Sequence, residues 1–134
     1  PDWKNLEIVP NLWDRIKNKF SLGKTYRKID FEEVTKRMMA KKCPTNKHFH
    51  CVVPGWDNSA RRKNNAFVMT DATPEIYGDW LLDTCEKAEV YSDEENFLFI
   101  NAWNEWAEGN HLEPDRKWKR AFLEKTKDIL SIYK

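Results

Sequence analysis

Two carboxylates three residues apart, Glu105 and Glu108, have the side chains and the spacing for acid–base chemistry. On a straight strand they would face opposite ways, but a turn after Glu105 would let them converge. Gly109 gives the backbone the freedom that such a turn needs. Two carboxylates at one site can divide into an acid and a base, since burial and mutual repulsion separate their proton affinities, and glycoside chemistry commonly uses such a pair.

The residues before this pair show the polarity gradient of a strand that leads into a site. In an extended segment over residues 97–103, one face ends in Asn101, Trp103 and, just beyond, Glu105. The opposite face is apolar and suits packing against helices. Spacing alone still favours the simpler alternative, an ordinary solvated loop that carries acidic residues.

The elements that must position these residues alternate between helices and strands. Helices are predicted at residues 31–41, 74–88 and 115–132, and strands at 48–53 and 97–103. Strands that alternate with helices of this length indicate an α/β fold, with the two strands parallel and adjacent. A complete eight-fold barrel needs at least about 200 residues, so the chain holds at most about half of one.

Local signals support these helices. Asp30 is suited to cap the first helix with Glu33 reaching back, and Thr73 precedes the helix-starting Pro74. Trp80 and Trp118 lie on helical stripes and are expected in the core. A short helix is indicated after Pro10 within a poorly defined connecting segment over residues 1–29, and a polar loop is expected from Trp56 to about Asp71.

Composition excludes several classes of protein. The 134 residues are 40% hydrophobic and 34% charged with a net charge of +1, which suits one ordered domain and gives no nucleic-acid footprint. No apolar run is long enough to span a membrane, and no signal peptide is visible at residues 1–4. The chain does not start with Met, so the native N-terminus is expected to be missing. Seven Trp supply core or flat platforms for sugar rings.

Cysteine and histidine usage predicts neither a metal site nor a cofactor. Cys43, Cys51 and Cys85 are odd in number and form no CxxC, which favours a reducing compartment and a cytoplasmic location. His48 and His50 share one strand face, but metal binding needs at least one more donor, and none is obvious.

Three separated motifs resemble the WbsX-type glycosyltransferase family, whose proteins belong to surface-polysaccharide gene clusters and are related to glycoside hydrolase family 99, the endo-α-mannosidases. They are VPGWDNSAR (53–61), TPEIYGDWL (73–81) and NAWNEWAEGNHLEPD (101–115). The resemblance covers residues from about 30 to 133 and only the C-terminal third of the family domain. It implies that residues 30–134 are the C-terminal βα units of a (β/α)8 TIM-like barrel, whose N-terminal part is missing here.

The resemblance also implies roles for single residues. The related hydrolases have NEWHEG where this chain has NEWAEG, so Glu105 is implied as the base on the sugar 2-hydroxyl and Glu108 as the general acid. Ala107 replaces the hydrolase histidine, a departure that bears on both the substrate and the mechanism. A tyrosine of the hydrolase sugar site corresponds to Trp56. The other substrate-binding candidates are Asp57, Asn58, Arg61, Asn101, Trp103, Asn104, Trp106, His111 and Glu113.

Alternatives stay open for several of these residues. Arg62 could take the role of Arg61, and Asp57 and Asn58 could simply form a turn. Residues 113–115 could cap the next helix instead of orienting the site. The leading hypothesis is an enzyme of glycosyl transfer or hydrolysis that binds a glycan or a glycosyl donor and acceptor, in surface polysaccharide or lipopolysaccharide metabolism. The alternatives are a non-catalytic carbohydrate-binding remnant and an inactive truncated fragment.

Overall fold

The computed structural model describes residues 26–62, 64–88 and 93–133. The strands are β1 (Tyr26–Asp30), β2 (His50–Val52), β3 (Ala66–Thr70), β4 (Leu98–Ile100), β5 (Asn104–Glu105) and β6 (Asn110–His111). The helices are α1 (Phe31–Met39), α2 (Pro74–Ala88) and α3 (Ala121–Leu130), and short 3₁₀ turns cover Asp93–Glu95, Trp106–Glu108 and Ser131–Tyr133. The helix predicted after Pro10 lies outside the described residues.

Parallel strand pairs connected through helices define the architecture. β1 pairs with β3, and β2 pairs with β4 so that Val52 lies opposite Ile100. Each pair is parallel, with α1 between β1 and β3 in sequence and α2 between β2 and β4. This confirms the α/β class and the parallel pairing of the strands predicted at 48–53 and 97–103, although both strands are shorter than predicted.

The prediction of a polar loop from Trp56 to about Asp71 was wrong for its last part, because residues 66–70 form β3. Asn65 and Asp71 flank this strand with positive φ angles of 53° and 59°, a conformation that Asn and Asp tolerate better than most residues. β3 pairs with β1, whose first four residues fall in the segment over residues 1–29, where no strand was predicted. Each of these strands therefore forms through a partner that is distant in sequence.

The last helix begins at Ala121 and not near residue 115. Asp115 accepts a hydrogen bond from the Trp118 backbone N–H at 2.5 Å, and it forms a short bridge with Lys119. Lys119 has a φ of 54°, which closes this turn before the helix starts. The helix N-cap is Arg120 without a side-chain hydrogen bond, so capping by residues 113–115 is excluded.

The two predicted helix starts are confirmed. Asp30 Oδ1 accepts a hydrogen bond from the Glu33 backbone N–H at 2.9 Å, and Thr73 Oγ1 accepts one from the Ile76 N–H at 3.3 Å. The side chain of Glu33 does not reach back to Asp30 but pairs with Arg37 at 2.8 Å. Local capping chemistry thus places α1 and α2 where the sequence indicates, with α1 ending two residues before residue 41.

The core lies where α2 meets α1, α3 and the strands. Trp80 contacts Phe31 edge-on with ring centroids 6.3 Å apart, and Tyr77 contacts Phe122 at 5.5 Å. Trp80 is buried as predicted, whereas Trp118 packs against the core while partly buried. Burial raises the pKa of Tyr77 to about 12, although its hydroxyl lies 3.0 Å from Thr126 Oγ1. Within the described ranges, no helix is long and apolar enough to cross a membrane.

Candidate active site

Two loops leave the carboxyl ends of a parallel strand pair. The first loop (residues 53–62) follows β2, and the second loop (residues 101–115) follows β4. The Asn101 backbone N–H donates to Val52 O at 2.9 Å, which extends the pairing to the start of both loops. Because parallel strands present their carboxyl ends at one edge, the candidate residues of both loops are brought to that edge.

A close backbone approach joins the two loops. The Asp57 N–H donates to Glu108 O at 2.7 Å. Gly109 has a φ of 56°, and a Cβ added there would lie 3.0 Å from Asp57 O and 3.1 Å from Asp57 Cβ. The position therefore needs glycine for two reasons, its left-handed conformation and the nearness of Asp57. This contact fixes the turn that carries Glu108.

The chain breaks before Glu105, earlier than the sequence indicated. β4 ends at Ile100, so the continuous strand face predicted through Asn101 and Trp103 to Glu105 does not form. Glu105 instead ends the two-residue strand β5, which pairs antiparallel with β6. Glu108 lies at the end of the intervening 3₁₀ turn. Glu105 is exposed, whereas the Glu108 side chain is only 12% exposed.

An ion pair connects Glu108 to the first loop. Arg61 Nη2 donates to Glu108 Oε1, and the Arg61 side chain is 58% exposed. Of the two arginines considered for this role, Arg61 reaches the carboxylate, whereas Arg62 lines a neighbouring cavity. A partly exposed pair contributes little to stability, about 1 kcal/mol or less. The ion pair instead fixes positions, because it holds the Arg61 guanidinium and the Glu108 carboxylate where the two loops meet.

A network of side chains orders the far side of the second loop. The Trp106 indole stacks on His111 with centroids 3.7 Å apart, and its Nε1–H donates to Glu113 Oε2 at 2.6 Å. His111 Nε2 lies 3.4 Å from Asp115 Oδ2, within ion-pair range but too far for a well-formed hydrogen bond. These contacts hold His111 and Glu113 within the second loop, and their role in orienting the site stays a prediction.

Two tryptophans of the second loop remain accessible. Trp103 is 56% exposed and Trp106 is 49% exposed, beside the exposed Glu105 and Asn104. The backbone of Trp103 is fixed, since its carbonyl accepts hydrogen bonds from Leu112 N at 3.0 Å and Glu113 N at 3.1 Å. Exposed indoles on an ordered backbone provide flat apolar surfaces with a polar edge, which suit the apolar face of a sugar ring.

Asp57 and Asn58 make contacts typical of turn-forming residues. Asn58 is 7% exposed, and its Oδ1 accepts from the Phe67 N–H at 2.7 Å while its own N–H donates to Phe67 O at 3.2 Å. The Asp57 carboxylate accepts from the Ser59 N–H at 2.8 Å. Asn58 therefore fastens the first loop to β3, and these contacts are those of the turn-forming alternative.

Trp56 lies between two cavities at this edge. One of about 510 Å³ is also lined by Asn58, Arg62 and Asn101, and another of about 280 Å³ by Gly109, His111 and Trp118. Trp56 is partly buried against the core. Among the described residues, Glu105 lines neither cavity, and the connection from Trp56 to the carboxylates passes through Asp57 and Glu108.

Two polar residues of the second loop, Asn110 and Asp115, were assigned no role in the site from the sequence. Asp115 approaches His111 and fixes the turn before α3. Asn110 is fully buried, and neither polar atom of its side chain has a hydrogen-bond partner among the described residues. Buried unpaired amides are uncommon in folded proteins. The glycine before Asn110 predicts a turn at this point of the chain. Nothing in the sequence indicates that the Asn110 side chain is buried.

The fold and the two loops define an α/β protein with a carboxylate-bearing loop site at a parallel strand edge. The profile of the family described as Glycosyltransferase WbsX matches residues 4–126, and the chain belongs to that family. Two proteins, both described as "Uncharacterized protein WxcX", from Xanthomonas campestris pv. campestris strains ATCC 33913 and B100, are each 36% identical to it over 104 residues. That alignment covers 77% of this chain and 15% of each relative. No solved structure matches the chain significantly.

Proposed function

We propose that this chain is part of a carbohydrate-active enzyme that transfers or hydrolyses glycosyl groups in surface polysaccharide or lipopolysaccharide metabolism. The observation that carries the proposal is the mostly buried Glu108, paired with Arg61 and one short turn away from the exposed Glu105. Membership of the WbsX glycosyltransferase family supports a glycan or a glycosyl donor and acceptor as its partners. Because the chain spans only a small part of its curated relatives, the proposal concerns the intact protein.

The proposal includes a barrel context for the site. In this proposal residues 30–134 are the C-terminal βα units of a (β/α)8 barrel. Two features support this arrangement: parallel pairs whose strands are separated by helices, and candidate residues that follow the carboxyl ends of strands. The remaining strands of such a barrel would supply the other walls of the sugar site.

The two carboxylates take different roles in the proposed chemistry. By resemblance to the family 99 hydrolases, Glu105 accepts a proton from the sugar 2-hydroxyl and Glu108 donates one to the leaving oxygen. Glu105 is exposed and open to an incoming sugar, whereas the Glu108 side chain is mostly buried and pairs with Arg61. The Arg61 guanidinium contacts the Glu108 carboxyl and positions it for this transfer.

The exposed tryptophans provide the binding surface. Trp106 has one face on His111 and is still 49% exposed, which leaves indole surface for a sugar ring. Its hydrogen bond to Glu113 fixes the angle of that surface relative to Glu105 and Glu108. No nucleotide-sugar motif is evident in the sequence, so glycosidase-type chemistry with retention is the favoured form of the reaction.

Glutamine variants of the intact protein test the catalytic assignment. Glu105→Gln and Glu108→Gln keep the shape of each side chain and remove its acid–base function, so turnover of surface-polysaccharide oligosaccharides should fall about 10²–10⁴-fold. Glu124→Gln, at an exposed position of α3, is the matched control and should keep full turnover. Circular dichroism of all variants should show the native helix content.

Full activity in either loop variant would end the assignment of that residue. If the intact protein binds glycans but turns over no oligosaccharide, it is a carbohydrate-binding protein and not an enzyme. Measuring release of reducing ends together with binding by calorimetry separates these outcomes, because the first reports bond cleavage and the second reports occupancy alone.

A further inference from the structure

A group of soft metal-ligating side chains lies at the opposite end of β2 from the two loops. The structure brings Cys43, His48 and His50 together so that one potential ligand atom of each lies within 4.8 Å of the others. His48 and His50 precede and begin β2, whereas the first loop follows it. This group is therefore separated from the carboxylates by the length of the strand.

The segment after α1 explains why the three side chains meet. α1 ends at Met39, and the chain then passes through Cys43 before it enters β2 at His50. The sequence analysis found two histidines on one strand face and no third donor. The missing donor is Cys43, which becomes a neighbour only because the chain folds back beneath the end of α1 into a cavity of about 310 Å³.

The two imidazoles are arranged for ligation. Their ring centroids are 4.4 Å apart with an interplanar angle of 73°. His50 Nε2 is buried and has no hydrogen-bond partner among the described residues. His48 Nδ1 lies 3.3 Å from Asn46 O, and a backbone carbonyl at that nitrogen is a common way to orient a histidine whose Nε2 binds a metal.

We propose that Cys43, His48 and His50 form a binding site for a borderline-soft divalent cation such as Zn²⁺. Thiolate sulfur and imidazole nitrogen are among the usual protein ligands of zinc, and three protein ligands leave a fourth position for water. Zn–S bonds of about 2.3 Å and Zn–N bonds of about 2.0–2.1 Å would draw the ligand atoms closer than they are now. Cys43 is exposed, so rotation of its side chain accommodates this contraction. Binding releases the thiol proton to solvent.

The charges around the cavity set limits on the cation. Lys41, Lys42 and Lys87 also line it, and Asp83 is engaged by Lys87 at 2.7 Å. These ammonium groups oppose a second positive ion, and the Cys43 thiolate offsets one of their charges. Hard cations such as Mg²⁺ and Ca²⁺ prefer several oxygen ligands and are not expected to bind. Zinc affinity in the micromolar range is expected, below that of closed four-ligand sites.

The site would act on structure and not on sugar chemistry. It would tie the segment after α1 to the start of β2, the strand whose other end leads into the first loop. A cation that binds only the folded chain stabilises it in proportion to the logarithm of its free concentration. Zinc should therefore raise the melting temperature without any glycan present.

Cobalt substitution tests the site in the reduced 134-residue chain. Co²⁺ should bind with a stoichiometry of one per chain and give the near-ultraviolet charge-transfer band of a thiolate ligand, which Zn²⁺ then displaces. Cys43→Ser should abolish the band, and His50→Ala should weaken binding at least about 10-fold. Cys51→Ser is the matched control: its thiol borders the same cavity and should leave the band unchanged.

Three results would overturn the proposal. The first is the absence of saturable cobalt binding at micromolar concentration. The second is a band that persists in Cys43→Ser or is lost in Cys51→Ser. The third is one cobalt per two chains, which would show a site formed between molecules. A rise in melting temperature with zinc in the native chain, but not in Cys43→Ser, supports the proposal independently. His111→Ala is the control for histidines elsewhere and should keep that rise.

Discussion

Tryptophan serves different purposes in α2 and in the second loop. Trp80 is 5% exposed and packs edge-on against Phe31 in the core. Trp103 and Trp106 are 56% and 49% exposed, and both belong to a loop fixed by hydrogen bonds and ring stacking. An ordered backbone therefore does not require burial of the aromatic ring that it carries. Rings on the helical stripe form the core, whereas the exposed rings of the second loop form the surface that we propose binds a sugar.

The largest expected difference between the two regions is in stability. Trp80→Ala removes a buried indole and should lower the free energy of unfolding by about 3–5 kcal/mol. Trp103→Ala removes an exposed ring and should change it by no more than about 0.5 kcal/mol. Urea unfolding followed by circular dichroism measures both. Similar losses for the two variants would show that Trp103 belongs to the core.

The next largest effect is expected where the two loops touch. Gly109→Ala places a Cβ at a φ of 56° and 3.0 Å from Asp57 O, so a loss of about 1–3 kcal/mol is expected. Gly55→Ala is the matched control in the first loop, because its added Cβ would meet Ala72 Cβ at an ordinary 3.4 Å. Equal stability of the two variants would mean that the loops do not approach as described.

Alkaline unfolding should depend on the buried Tyr77. Its folded-state pKa of about 12 lies above the usual 10.0, so the unfolded chain loses this proton first as pH rises. The contribution of Tyr77 to the free energy of unfolding is fully present below pH 10 and is lost between about pH 10 and 12. At the middle of that range the loss is roughly 1 kcal/mol. Tyr77→Phe should flatten this part of the pH–stability profile. An unchanged slope in the variant would contradict the assigned burial.

The smallest stability effect is expected at the ion pair between the loops. Arg61→Gln should change the free energy of unfolding by less than about 1 kcal/mol, since the guanidinium is mostly exposed. Turnover by the intact protein should nevertheless fall, because Glu108 loses the partner that positions it. Arg62→Gln is the adjacent control and should retain turnover. A large stability loss with unchanged turnover would make the pair structural.

Features with local causes were predictable from the sequence. The caps at Asp30 and Thr73 depend on residues three positions away, and both form as predicted. β2 and β4 were found because they are apolar runs bounded by breakers. β1 and β3 were missed because each forms only through pairing with the other, about 40 residues away. The early end of β4 and the late start of α3 arise from turns whose hydrogen bonds periodicity does not show.

The candidate site was predictable as a set of residues and less so as a geometry. The motif indicated Glu105, Glu108 and the tryptophans, and the Gly109 turn was expected from residue type. The alternation of side chains predicted a continuous strand face leading to Glu105, whereas Glu105 lies in the antiparallel pair of β5 and β6. Nothing in the spacing indicated that Arg61 would pair with Glu108 from 47 residues away. The roles of these residues in catalysis and sugar binding stay predictions.

The central claim is that the exposed tryptophans and the two glutamates form one glycan site. It is tested most directly by the indole N–H signals of a Glu108→Gln variant of the intact protein, titrated with oligosaccharides from the polysaccharide of the strain that encodes it. We expect the signals of Trp103 and Trp106 to shift and reach saturation, while that of Trp80 does not move. Saturable binding that leaves both loop signals unchanged would contradict it.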